Sequence, residues 1–209
     1  MRILKACGVM LGLFATCYVP AFVLVSIIRP ANVKAVPIII ALTLIAASLT
    51  LTFFLKRSTW AAADFGLASC RHSHVLEALA VGAVAGIVVA IAARFGHPSG
   101  PLRMDTFSPW QVVLFFWVAA SIQEEVVFRG LLQSVVARVL GARSSFPLAT
   151  ILVAILFGAI HSPMGLVTVA LAFLLGLAAG YLRARSGSLL PPILLHAIFN
   201  IAGSIGLFV

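Results

Sequence analysis

Apolar residues run along this chain in long, nearly unbroken blocks, and polar residues fall at the joints between them. The first block reaches Ile28 behind Arg2 and Lys5. Others follow at about Val36–Leu55, Val75–Ala93, Trp110–Val127, Pro147–Ile160, Leu166–Leu182 and Pro191–Val209. Most are near the length a helix needs to cross a hydrocarbon layer of about 30 Å. The pattern predicts an all-α fold, a polytopic transmembrane helical bundle of about seven spans. The fifth span is short, and the fourth runs on through Phe128–Leu140 into a second helical stretch. Pro20 is a place where the first span can bend. That span is too long for a signal peptide, whose apolar region is roughly 7–15 residues, so it reads as uncleaved. No polar linker is long enough to divide domains, and residues 1–209 read as a single integral membrane domain.

Composition points the same way. Of 209 residues, 63% are apolar and 9% charged, against about 45–50% and about 25% in ordinary globular chains. With a mean hydropathy of +1.20, too little polar surface remains to cover a globule in water. A secreted disulfide scaffold and a disordered tail are excluded. Cys7, Cys17 and Cys70 are widely spaced, with no CxxC pair to suggest a redox or zinc motif.

The net charge of +9 would suggest nucleic acid in a soluble protein. Here the cations punctuate apolar runs instead of forming a stripe, so no nucleic-acid partner is expected; the partner is the lipid bilayer. With the N-terminus cytoplasmic, the inner loops hold Arg2, Lys5, Lys56, Arg57, Arg71, Arg138, Arg143, Arg183 and Arg185. The outer loops hold Arg29, Lys34, Arg94 and Arg103. That excess favours an N-terminus inside the cell membrane. Gly82/Gly86 and Gly176/Gly180 form small-xxx-small pairs suited to close helix packing within the bundle.

A few polar residues lie at apparent membrane depth. A charge near the bilayer centre costs about 2.5–3.5 kcal/mol even on lenient scales, so such groups are functional candidates by default. Glu124, Glu125 and Arg129 lie in QEEVVFRG, His161 ends ILVAILFGAIH, and His196 and Asn200 lie in HAIFN. Consecutive helical residues point about 100° apart, so the two glutamates face different ways. Glu125 and Arg129 are four residues apart, the spacing at which a carboxylate meets a guanidinium. Glu124 keeps no local cation and suits a general base. His196 and Asn200, also four apart, present an imidazole and a carboxamide on one face, both able to donate to an oxyanion. His161, with Phe157 one turn before it, can share a water with Glu124 if their helices pack together. These groups from three helices make a plausible water-activating site.

Taken together, the three segments resemble the CPBP family of intramembrane endopeptidases, the CAAX proteases and bacteriocin-processing enzymes also called the Abi family. Its EExxxR motif is met by Glu124, Glu125 and Arg129, followed by Gly130; FxxxH is met by Phe157 and His161; HxxxN is met by His196 and Asn200, after GSLLPP. The resemblance covers a catalytic core of about 108–205, with FGL at Phe65–Leu67 as a faint further echo. It implies an endopeptidase in which Glu124 and His161 activate water while His196 and Asn200 stabilise the oxyanion. Glu125 and Arg129 are supporting residues, and Glu125 is sometimes given a catalytic part. The expected mechanism is glutamic and metal-free, with no cofactor. The alternative is zinc bound by Glu124, His161 and His196; Asn200 is a poor zinc ligand.

The resemblance implies a membrane-associated substrate: a bacteriocin or pheromone leader peptide, a C-terminal sorting anchor, or a prenylated tail. The compact, alanine-rich chain reads as prokaryotic, which ranks the prenylated tail below the others. A non-catalytic immunity or chaperoning membrane protein of the same fold is the alternative function. A proton-coupled carrier is a further class, disfavoured because the chain has no paired halves with matching interrupted helices. One geometric demand follows. The fifth and seventh spans run the same way, yet His161 comes late in one and His196 early in the other, so the two helices must be tilted, kinked or unequally inserted.

Overall fold

A computed structural model describes residues 1–57, 59–95, 106–141 and 146–208. Among them the long elements are α1 (Arg2–Ile28), α2 (Asn32–Leu55), α3 (His72–Phe95), α4 (Pro109–Leu140), α5 (Phe146–Ile160), α6 (Leu166–Ser186) and α7 (Leu190–Phe208). Short 3₁₀ turns lie at Ala62–Phe65 and Ser162–Met164. Five helices, α1 to α4 and α6, are long and apolar enough to cross a membrane. The remaining two apolar helices, α5 and the Leu190–Ser204 part of α7, are shorter. The chain is a helical membrane protein; among the described residues five helices have the length and composition to span, not the seven expected, and two apolar helices are shorter. α1 runs through Pro20 without interruption, as membrane helices can when neighbours accommodate the lost backbone bond.

The fourth block and its extension form one 32-residue helix. Its Val112–Ala120 and Val126–Leu132 stretches are π-helical, and they bracket the ordinary α turn Ser121–Glu125 that carries both glutamates. Such widened turns recur at functional sites. From Val127 to Ala137 every residue is buried, so this half of α4 is the axis of the bundle, enclosed on all faces. α1, α2, α5, α6 and α7 all pack against α4, while α3 lies on α7 and α5 lies on α6. Gly141, at φ 108°, stops the helix in the left-handed conformation that glycine tolerates.

The glycine pairs mark the closest of these approaches. A methyl group on Gly82 would lie 2.8 Å from Ile198, and one on Gly86 would lie 3.2 Å from Ala202, so the first pair seats α3 on α7. On Gly176 it would meet Ala154 at 3.0 Å, and on Gly180 it would meet Thr150 at 2.5 Å, so the second pair seats α6 on α5. Both pairs serve packing inside the bundle.

The demand on α5 and α7 is met by unequal insertion. Thr150, near the start of α5, is level with Gln133, to which it is hydrogen-bonded at 2.8 Å. Leu189, just before α7, sits against Gly130, 3.3 Å from where its β-carbon would be. α5 therefore begins farther toward the C-terminal end of α4 than α7 does. Fifteen residues along α5 and six along α7 then arrive at the same depth.

The cations assigned to inner loops gather at one end. Arg138 lies 3.9 Å from Asp64 and over the Trp60 ring, and Arg185 is 3.3 Å from Glu77. Arg103 and Arg143 lie outside the described residues. At this end the turn Ala62–Phe65 is bolted to the core. Phe65 is fully buried, Gly66 O accepts from Leu189 N at 2.9 Å, and Asp64 O accepts from Arg183 Nη2 at 2.8 Å.

Candidate active site

Midway along α4, the α turn between the two π-helical stretches projects Glu124 and Glu125 to different sides, as their adjacency requires. Glu125 points inward and is 0% exposed. Its Oε1 accepts two hydrogen bonds, from Arg129 Nη1 at 2.8 Å and from His196 Nδ1 at 2.7 Å. The ion pair read from the four-residue spacing is present, and the same oxygen also holds the imidazole of α7. Arg129, also 0% exposed, lays its guanidinium over the Phe157 ring at 4.6 Å.

His196 is thereby oriented. With Nδ1 donating to Glu125, Nε2 is the nitrogen left for other groups, and it stands 3.8 Å from Glu124 Oε2. A carboxylate that fixes one imidazole nitrogen so that the other can work is a recurring arrangement in hydrolytic sites. The Glu124 side chain is 21% exposed, yet its Oε2 is buried without a protein partner. A carboxylate oxygen in that state calls for a water or a ligand. A water to one side of the 3.8 Å line can touch both groups at about 2.8 Å, an ordinary hydrogen-bond length.

His161 closes α5 and is half-buried. Its Nδ1 bonds to Phe157 O at 2.7 Å, which leaves Nε2 available. The Phe157 ring lies 4.9 Å from the His161 ring and 5.8 Å from the His196 ring, edge to face with both. Phe157 is thus the spacer that brings the two imidazoles to one region. No hydrogen bond among the described residues joins His161 to Glu124 directly.

Asn200 lies one turn beyond His196. Its Nδ2 donates to Phe116 O at 2.9 Å and to Ser121 Oγ at 3.1 Å, so both amide hydrogens are spent on α4. The reverse amide orientation would set two oxygens against each other at Phe116. Ser204 continues this seam, donating to Asn200 O and accepting from Trp117 Nε1 at 2.6 Å. Asn200 and Ser204 therefore fasten α7 along the first π-helical stretch.

Catalytic zinc takes three protein ligands and a water. Among the described residues no three His, Cys, Asp or Glu side chains are grouped to hold a metal ion. Glu124 and His196 face each other, but His161 meets them through the Phe157 ring.

Several residues around the site were not singled out in the sequence. Gln123 donates to Tyr18 OH at 2.7 Å, tying α1 to the turn that holds the glutamates. Gln133 donates to Thr150 Oγ1 at 2.8 Å and to Gly180 O at 3.0 Å. The four-residue step that links Glu125 to Arg129 would also have reached Gln133. Nothing local marks Tyr18, because its partner lies 105 residues away.

With the geometry in place, comparison with known proteins decides the family. The family described as "Type II CAAX prenyl endopeptidase Rce1-like" matches residues 106–202. This segment belongs to the CPBP family. The match supports a peptidase, and it spans all the motif residues of α4, α5 and α7. An Escherichia coli protein described as an uncharacterized 24.3 kDa protein is 32% identical over 130 residues. That alignment covers 56% of this chain and 57% of that protein, so the chain spans little more than half the length of the curated relative it matches. No solved structure gives a significant match.

Proposed function

We propose that this protein is an intramembrane endopeptidase of the glutamic type, hydrolysing a peptide bond in a membrane-associated substrate. The observation that carries this reading is the Glu124–His196 pair. One carboxylate oxygen is buried and unpartnered, and it stands 3.8 Å from an imidazole nitrogen whose twin is fixed by Glu125. Glu124 takes a proton from a water as that water attacks the scissile carbonyl carbon. The carbonyl π electrons move to oxygen. His161 Nε2, unprotonated because Nδ1 donates to Phe157 O, accepts from the attacking water beside Glu124. His196, carrying protons on both nitrogens, donates from Nε2 to the oxyanion. Collapse of the tetrahedral intermediate breaks the C–N bond, and the proton held by Glu124 passes to the leaving amine. Asn200 joins the oxyanion donors by exchanging its Ser121 bond for the substrate.

No metal takes part in this scheme. Activity is expected to persist after chelation, and metal analysis of the purified protein checks the point. The substrate classes that suit the site are a leader peptide, a C-terminal sorting anchor and the prenylated tail named in the matching family's description. The larger share of Lys and Arg at the basic end of the bundle supports a cytoplasmic location for that end and for the N-terminus.

The test is Glu124→Gln, which preserves shape and removes the base. In liposomes carrying a lipid-anchored or membrane-spanning peptide panel, cleavage by the wild type is expected, with loss to background in the variant and unchanged melting. Full activity in the variant would refute the mechanism.

A further inference from the structure

One turn beyond Arg129, a second polar group is sealed into the bundle. Gln133 is 0% exposed, and its amide nitrogen is held by two partners on different helices, Thr150 of α5 and the Gly180 carbonyl of α6. That fixes its orientation: Nε2 faces α5 and α6, and Oε1 is left buried with no partner. One turn away, Arg129 spends Nη1 on Glu125, while its Nε and Nη2 are also buried and unpartnered. Two orphan donors and one orphan acceptor thus lie four residues apart on one helix, where side chains are neighbours. The small residues of α6 line the same strip. A β-carbon on Gly176 would be 3.4 Å from Arg129 Nη2, and one on Gly180 would be 3.3 Å from Gln133 Oε1.

Buried polar atoms are almost always satisfied, by protein or by ordered water. The guanidinium is stacked on Phe157 but hydrogen-bonded along one edge only, so Glu125 and the ring leave its other edge unfixed, and Glu125 in turn holds His196. We propose that Gln133 is a positioning residue of this site: through a buried water that accepts from Arg129 and donates to Gln133 Oε1, it locks the free edge of the guanidinium and so fixes Glu125 and His196. The chain of command runs from Thr150 and Gly180, through Gln133 and the water, to Arg129, Glu125 and His196 Nδ1. Gln133 touches no reacting atom. The inference rests on the peptidase reading for its effect on catalysis, but the bridge itself does not.

The experiment therefore has two readouts. In protein with ¹⁵N-labelled arginine, the Arg129 Nε–H signal is assigned by its loss in Arg129→Lys. It is expected to show contact with a slowly exchanging water in the wild type, and to shift with loss of that contact in Gln133→Met. In the liposome assay, Gln133→Met is expected to lower kcat about tenfold, the scale of one hydrogen bond to a charged group, with KM within about twofold. Should Gln133→Met fail to insert, Thr150→Val, which removes one of Gln133's two anchors, is expected to give the same changes in smaller measure. An Arg129 signal with no water contact, or one unmoved in both variants, overturns the proposal whatever the activity. A shifted signal in a protein that cleaves nothing keeps the bridge and sinks the peptidase reading.

Discussion

The helices α1 to α3 and the helices α4 to α7 solve the membrane problem differently. In the first group, 17%, 22% and 17% of the most apolar windows of α1, α2 and α3 are buried inside the bundle, against 33% in α4 and 39% in α6. The first three present most of their surface to lipid; α3 joins the rest through its glycine seam on α7, and the others through scattered ties. Tyr18 to Gln123 and Gly66 to Leu189 are two of them. The later helices bury glutamate, arginine, glutamine and histidine in mutual contact, which lipid-facing surface cannot do. Hydrophobicity specifies only that a helix enters the bilayer. The polar pairs, with the glycine contacts, specify which helix faces which, and they set the depth of Glu124, His161 and His196.

This contrast can be broken by substitution. The largest effect is expected at Arg129→Leu, which leaves the Glu125 carboxylate buried and unpaired. Loss of one partner of a buried pair costs about 3–5 kcal/mol. Thermal unfolding in detergent should show it, and a melting point equal to the wild type would mean that the network contributes nothing to the fold. Next comes Gly66→Ala, where φ is +80° and the added methyl would lie 2.6 Å from Arg183 Nε. Overpacking of this kind costs about 1–3 kcal/mol. Because Gly66 seats the start of α7, cleavage is expected to fall more steeply than stability, which ties the segment between α2 and α3 to the site. The smallest effect is expected at Tyr18→Phe, which keeps the ring stacked 4.7 Å from Phe14 and removes one hydrogen-bond acceptor. That is a change of about 1 kcal/mol, read in the same melts, with α1 still inserted. A collapse of the fold there would show that α1 is integral to the core.

Much of this was legible beforehand. The apolar blocks match the helices to within a few residues, because a 30 Å apolar solvent imposes length on sequence. The Glu125–Arg129 pair followed from helical spacing, and the inward use of both glycine pairs followed from their size. The continuation of Trp110–Val127 through Phe128–Leu140 was legible as a second helical stretch, and the structure joins the two in one 32-residue helix. The Glu125–His196 bond was not legible. It joins residues 71 apart, and a periodicity argument sees one helix at a time. Asn200 is the instructive case: its type suits an oxyanion donor, and the fold has already committed its hydrogens to Phe116 and Ser121.

The brevity of α5 has a consequence for access. Its 15 residues rise about 22 Å, some 8 Å less than the hydrocarbon thickness of about 30 Å. A rod that short is accommodated by local thinning of the leaflet over its end. That end is His161, followed at once by the Ser162–Met164 turn. The dip in the bilayer is thus expected to open directly above the Phe157 platform, letting solvent and an extended polypeptide descend to the glutamate from the side, with no pore running through the protein.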